Sequence, residues 1–138
     1  MTPPKRFLLI DDNPHDQLLA AEAFAELCPD CQLAVANTGP HALELLHSAD
    51  DLPEVILLDV NMPGMNGFEV LEALKGDAQL SLIPVVMLST SGAQDDIKAA
   101  YTLYASSYIV KARHFSEFLD QIEAFLRYWR HVNLTVRA

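Results

Sequence analysis

Short apolar runs in this chain end at residues that can do chemistry. Asp11 and Asp12 follow RFLLI, Asp59 closes EVILLD, Ser89 closes PVVMLS and Lys111 closes SYIVK. Carboxylates, a hydroxyl and an ammonium gathered in one crevice can bind a metal and carry a phosphoryl group. Three carboxylates left alone repel, and one of them tends to stay protonated. A hard divalent cation with oxygen ligands, Mg²⁺ in the first place, relieves that repulsion. Each residue also has a plainer reading. Asp-Asp ahead of Pro14 is a common helix-capping arrangement, Asp59 suits a turn, a Ser after a strand caps the next helix, and a lone Lys is usually solvated. Independent accidents at the ends of several strands are the weaker account.

Whether these residues meet depends on the elements that carry them. Strands are read at 6–10, 32–36, 54–59, 84–89 and 107–111, the first, third, fourth and fifth as continuous apolar runs suited to buried parallel strands. Helices alternate with them. One begins at Pro14, where a missing N–H costs nothing, and carries Leu18, Leu19, Ala21, Phe24 and Leu27. A second follows the Asn37-Thr38-Gly39-Pro40 break, a third covers 67–77, a fourth carries Ile97, Ala100, Tyr101 and Tyr104, and the last runs from about 116 to 132. Strands alternating with helices imply right-handed crossovers and a parallel sheet covered on both faces. The expected fold is therefore α/β, a flavodoxin-like doubly wound (βα)5 with strand order 2-1-3-4-5. Ligands bind outside the carboxyl ends of such strands, where the winding reverses. Strands one and three are neighbours there, about 4.8 Å apart, so Asp11, Asp12 and Asp59 should converge.

Length and composition are consistent with this. A chain of 138 residues, 51% hydrophobic and 20% charged, reads as one domain over 1–138, with its core at about 6–126. The formal net charge of −10, without a Lys/Arg cluster, argues against nucleic acid as a partner. The apolar stretch from Phe7 to Ile10 is too short for a signal-peptide core or a membrane span, which makes the expected location cytoplasmic. Cys28-Pro29-Asp30-Cys31 follows a helical run, at the end of the dipole that disfavours a thiolate, and has no second Cys pair to complete a zinc site. It reads as punctuation of a helix-to-strand loop. The five histidines share no spacing that indicates a metal site.

Together these residues resemble the receiver domain of two-component response regulators. The likeness is carried by Asp11-Asp12, by the stretch DVNMPGMNG that begins at Asp59, by Ser89 after PVVML and by Tyr108-Ile109-Val110-Lys111, and it covers about residues 6–126. A narrower likeness, in IDDNPHDQLLAAEAF and the C-terminal FLRYWRHVNL, is to single-domain regulators that partner bacterial phytochrome histidine kinases.

The resemblance implies that Asp59 takes a phosphoryl group from a phosphohistidine of a sensor histidine kinase. Asp11, Asp12, Asp59 and the backbone carbonyl of Asn61 would bind Mg²⁺, with Mn²⁺ as a substitute. Lys111 would pair with a phosphoryl oxygen, and Ser89 would donate its hydroxyl to another. Tyr108 would then turn inward and change the surface of the fourth helix, fifth strand and fifth helix. Thr90 is expected to point to the opposite face if strand geometry continues. The protein would be a phosphoacceptor rather than an enzyme.

Two positions depart from the family's pattern. Ala112 stands where a proline commonly follows a cis bond, so Lys111–Ala112 is expected to be trans, a non-proline cis bond costing about 2.5–4 kcal/mol. Tyr104 stands where glycine is frequent. With Tyr128 and Trp129 it is expected to bury surface in a homodimer through the fifth strand and helix. Three rival readings remain. An aspartyl-phosphate-forming phosphatase would need an acid-base Asp where Asn61 stands. An FMN-binding domain would need a Ser/Thr-rich loop after the first strand. A docking receiver that is not phosphorylated draws on Ala112 alone.

Overall fold

The computed structural model describes residues 4–130. The strands are β1 (Arg6–Ile10), β2 (Gln32–Ala36), β3 (Val55–Asp59), β4 (Val85–Ser89) and β5 (Ser107–Val110). The helices are α1 (Pro14–Leu27), α2 (Gly39–Ser48), α3 (Gly67–Lys75), α4 (Gln94–Thr102) and α5 (Phe115–Arg130), with one 3-10 turn at Leu80–Leu82. The sheet is parallel in the order β2-β1-β3-β4-β5, as expected. The expected extension of the last helix past Arg130 lies outside the described residues. None of the described helices is long and apolar enough to cross a membrane.

Side chains alternate across the sheet and build a core on each face. Leu8, Ile10, Ile56, Leu58, Val85 and Met87 face α2, α3 and α4. Phe7, Leu9, Val55, Leu57, Val86 and Leu88 face α1 and α5, which contribute Phe24, Phe118, Ile122, Phe125, Leu126 and Trp129. Phe7, Phe24 and Phe125 meet edge-to-face or tilted, with centroids 5.2–6.4 Å apart. β3 and β4 are buried along their whole length, as their apolar runs require. β5 is not. It is one of the sheet's two outer strands, only half-buried, and Val110 is exposed, because an edge strand has a neighbour on one side only.

Local chemistry sets the helix starts. Asn13, not Asp11 or Asp12, caps α1, accepting from the amides of His15 and Asp16 with Pro14 at the first helical position. Thr38 caps α2, and Asn66 forms a reciprocal capping box with Glu69 on α3. α4 ends sooner than its apolar spacing indicates. The Ala105 amide bonds the Ala100 carbonyl and the Tyr104 amide bonds that of Tyr101, closing a Schellman turn. Tyr104 occupies its left-handed position with φ 69°, so it lies beyond the helix rather than on it. α5 is pinned to the end of α1 by Arg130 Nη1, which donates to the Leu27 carbonyl at 3.3 Å.

Cys28 caps α1 through its amide bond to the Phe24 carbonyl, and Cys31 immediately precedes β2. The pair is the expected helix-to-strand punctuation, and the two sulfurs are also bonded to each other, which the dipole argument did not anticipate. Trp129 corrects a further expectation. It is 6% exposed, packed against Phe125 with centroids 6.4 Å apart, and so has no surface left to bury in another subunit. Tyr104 and Tyr128 are 77% and 62% exposed.

Candidate functional site

Register brings the strand ends level. Ile10 pairs with Leu58, Asp59 with Leu88, and Ser89 with Val110, and Asp12, Asp59, Thr90 and Lys111, at or just past the ends of β1, β3, β4 and β5, line one crevice of about 480 Å³. Single carboxylate oxygens of Asp11, Asp12 and Asp59 lie within 4.8 Å of one another. Asp11 and Asp59 are buried, at 1% and 4% exposure, while Asp12 is open to solvent. Asp11 turns back to accept from the Asn13 amide at 2.9 Å, and Gln17 Nε2 fixes its carbonyl at 2.6 Å while also reaching Asn37 Oδ1.

Lys111 lies across the acids. Its Nζ is 2.9 Å from Asp16 Oδ2, 3.5 Å from Asp11 Oδ2 and 3.6 Å from Asp59 Oδ1. Its amide donates to the Ser89 carbonyl at 2.6 Å, which ties the end of β5 to the end of β4. Among the described residues all peptide bonds are trans, Lys111–Ala112 included.

Asn61 joins the other side. Its amide donates to Asp59 Oδ1 at 3.3 Å, and its side-chain oxygen accepts from Ser89 Oγ at 3.2 Å and from the Thr90 amide and hydroxyl at 3.3 and 3.4 Å. Thr90 therefore lines the crevice and does not point away. β4 ends at Ser89, and strand alternation does not extend past the end of the strand. Tyr108 is half-buried, and its hydroxyl donates to the Ser91 carbonyl at 2.8 Å. Behind the crevice, α3 starts directly on the Asp59 peptide. The Gly67 amide donates to the Val60 carbonyl at 3.1 Å, and a Cβ on Gly67 would stand 2.5 Å from the Asp59 carbonyl oxygen.

Burial dominates the electrostatics. It pushes the Asp11 carboxyl up to about 6, with the negative charges of Asp59 and Asp16 adding to the effect and the Asn13 amide and Lys111 opposing it. Asp59 is raised for the same first reason, again against Lys111. Burial alone would depress the Lys111 ammonium, but the Asp16 hydrogen bond and the charges of Asp11 and Asp59 outweigh it and hold the group above its usual value. Carboxylates raised by crowding and burial, with oxygen donors this close, suit a hard divalent cation. The acidic cluster fits a metal site.

Asp16 is the site residue that strand-end reasoning missed. It occupies the first turn of α1 and lines the same crevice as Asp12 and Asp59. An acid in a first turn already has a local reason to be there, which hides its second role.

A parallel sheet in this order, with acids just past β1 and at the end of β3 faced by one lysine just past β5, is a flavodoxin-like doubly wound α/β module. The family profile described as the response regulator receiver domain matches residues 7–123, and the chain belongs to that family. It is 33% identical to response regulator Rcp1 of Synechocystis sp., over 92% of this chain and 90% of Rcp1. Among solved structures, the phosphorylated cyanobacterial phytochrome response regulator RcpA superposes with a TM-score of 0.90 at 32% identity, covering 96% of this chain and 99% of RcpA. The Mn²⁺-bound form of Rcp1 gives 0.88 at 31%, covering 96% of this chain and all of Rcp1.

Proposed function

We propose that this chain is a single-domain response regulator whose Asp59 accepts a phosphoryl group from a histidine kinase phosphohistidine, with Mg²⁺ or Mn²⁺ in the acidic cluster. The observation that carries this reading is the meeting of Asp11, Asp12 and Asp59 within 4.8 Å, with the Lys111 ammonium laid over them. Asp11, Asp12, Asp59 and the Asn61 carbonyl would hold the cation. It would supply charge neutralisation among the acids and at the transferred group. The metal and phosphoryl readings draw support from two similar proteins, one solved phosphorylated and one with Mn²⁺.

The residues then have distinct tasks. An Asp59 carboxylate oxygen attacks phosphorus in line. The P–N bond breaks with its electron pair on the donor imidazole, which takes a proton, and Asp59 becomes an acyl phosphate. Positioning and electrostatics supply most of the acceleration in such transfers. Lys111 pairs with one phosphoryl oxygen. Ser89 Oγ leaves Asn61 Oδ1 to donate to another. Tyr108 leaves the Ser91 carbonyl and turns into the space that Ser89 vacates, which alters the face made by α4, β5 and α5.

The chain is a signalling acceptor and not a classical enzyme. Its donor would be a sensor histidine kinase of the bacterial phytochrome class, a reading supported by the likeness to RcpA, a cyanobacterial phytochrome response regulator, and its setting the cytoplasm. A homodimer would form across β5 and α5 through Tyr104 and Tyr128. Incubation with acetyl phosphate or phosphoramidate and Mg²⁺, followed by intact mass, should show one added phosphoryl group that Asp59→Asn does not acquire. No gain with any donor would favour the second reading, a docking receiver, for which the specific observation is Ala112 after Lys111.

A further inference from the structure

Lys111 follows an edge strand and lacks the proline that would stiffen the next residue, yet its side chain is only 10% exposed and its ammonium sits among three carboxylates. Something must aim it. The Lys111 amide points inward, to the Ser89 carbonyl on β4. The Val110 carbonyl and the Ala112 amide, on either side of it, take their partners from α5 instead, on the open edge of the sheet.

Gln121 of α5 supplies both partners. Its Oε1 accepts from the Ala112 amide at 2.9 Å and its Nε2 donates to the Val110 carbonyl at 2.6 Å. One carboxamide thus brackets Lys111 from both sides and continues the sheet's hydrogen-bond pattern by a single pair. The two bonds fix the orientation of the amide, since only this one offers a donor to the carbonyl and an acceptor to the N–H. A proline at position 112 would have no N–H to give. The alanine supplies the group that the glutamine holds.

We infer that Gln121 is the positioning residue that aims Lys111 into the acidic crevice, by clamping the peptide groups on either side of it. The role rests on the phosphoacceptor reading for its effect on phosphoryl transfer, but not for its effect on Lys111 itself. Those two effects are measured separately.

The test uses Gln121→Met, which keeps the side chain's length and removes both bonds, and Gln121→Glu, which keeps the acceptor for Ala112 and loses the donor to Val110. The first readout is acetylation of lysines by an amine-reactive acetyl ester, followed by peptide mass. Losing hydrogen bonds of this kind is worth about a 2–10-fold change in an equilibrium. Lys111 should label about that much faster in Gln121→Met, by an intermediate amount in Gln121→Glu, and Lys5 and Lys98 should be unchanged. Equal labelling of Lys111 in wild type and Gln121→Met overturns the inference, whether or not the protein accepts phosphoryl groups. The second readout is the rate of Asp59 phosphorylation by acetyl phosphate with Mg²⁺. Gln121→Met should slow it by a similar factor, and should slow it no further in a Lys111→Ala background. The same loss in both backgrounds would make Gln121 a general structural brace and overturn the inference. Wild type that takes up no phosphoryl group would sink the phosphoacceptor reading alone and leave the labelling result to decide this one.

Discussion

Lys111 is closer to Asp16 than to either Asp11 or Asp59, at 2.9 Å against 3.5 and 3.6 Å. The cation that serves the strand-end acids is held in this state by an acid from the first turn of α1. Asp16→Asn removes a charged partner from a mostly buried ammonium while easing repulsion among the remaining carboxylates. Hydrogen bonds to charged groups contribute about 1.5–3 kcal/mol, and the eased repulsion offsets part of that. We expect a net loss of about 1 kcal/mol, read as a lower urea midpoint at unchanged slope.

The Asp11 carboxyl sits at about 6 in the folded protein, against 3.8 for an ordinary aspartate. Between those values the folded state binds more protons than the unfolded one, so this group's contribution to stability falls as pH rises from about 4 to 6. Asp59 is raised as well and acts in the same direction. Asp11→Asn should therefore stabilise the metal-free protein at pH 7, by about 1–3 kcal/mol, and make little difference at pH 4. Urea titrations of both proteins at the two pH values check the sign.

Cation binding follows the opposite course, because a ligand carboxyl must be ionised. Thermal stabilisation by millimolar Mg²⁺ should be strong at pH 7.5, weaken as pH falls through about 6 and vanish in Asp11→Asn. Midpoints that rise equally with Mg²⁺ at pH 5 and pH 7.5 would show that the ion binds elsewhere.

A Cβ at position 67 would meet the Asp59 carbonyl oxygen at 2.5 Å and Val60 Cα at 2.7 Å, both backbone atoms without freedom to move aside. Gly67→Ala should cost about 1–3 kcal/mol, the usual range for overpacking. It should also slow phosphorylation of Asp59 more than Gly76→Ala does, since the nearest atom at position 76 is 3.4 Å away.

Tyr104 holds a left-handed backbone conformation with its ring exposed to solvent. L-residues lose roughly 1–2 kcal/mol there, so Tyr104→Gly should stabilise the monomer by up to about 1 kcal/mol once the glycine's greater freedom when unfolded is counted. If the ring serves the dimer, the same change lowers the mass seen by light scattering at high micromolar concentration. A variant that is more stable and equally dimeric would remove Tyr104 from the interface.

The strand ends were legible because buried parallel strands are continuous apolar runs, and the first polar residue after each run marks the rim of the sheet. Asp11, Asp12, Asp59 and Lys111 announce themselves in this way and meet, while Ser89, legible by the same rule, is buried beside them and joined to the site through Asn61. What escaped has a physical reason in each case. Asp16 satisfies a helix start by itself. Thr90 follows the last paired residue of β4, where alternation stops predicting direction. Tyr128 and Trp129 are neighbours in sequence, yet only their position around α5 separates an exposed ring from a buried one. Gln121 reaches backbone groups of residues 9 and 11 positions away, and no side-chain pattern encodes such a contact.

The hook between Arg130 and the Leu27 carbonyl has a mechanical consequence. α5 spans 16 residues, about 24 Å at 1.5 Å per residue, and is fastened at the end remote from the crevice. Gln121 ties the same helix to the residues on either side of Lys111, and Phe118 and Ile122 bury its first half against the sheet. Held at both ends, the helix is a strut rather than a lever, and a protein that grips its exposed flank bears on the lysine through the glutamine.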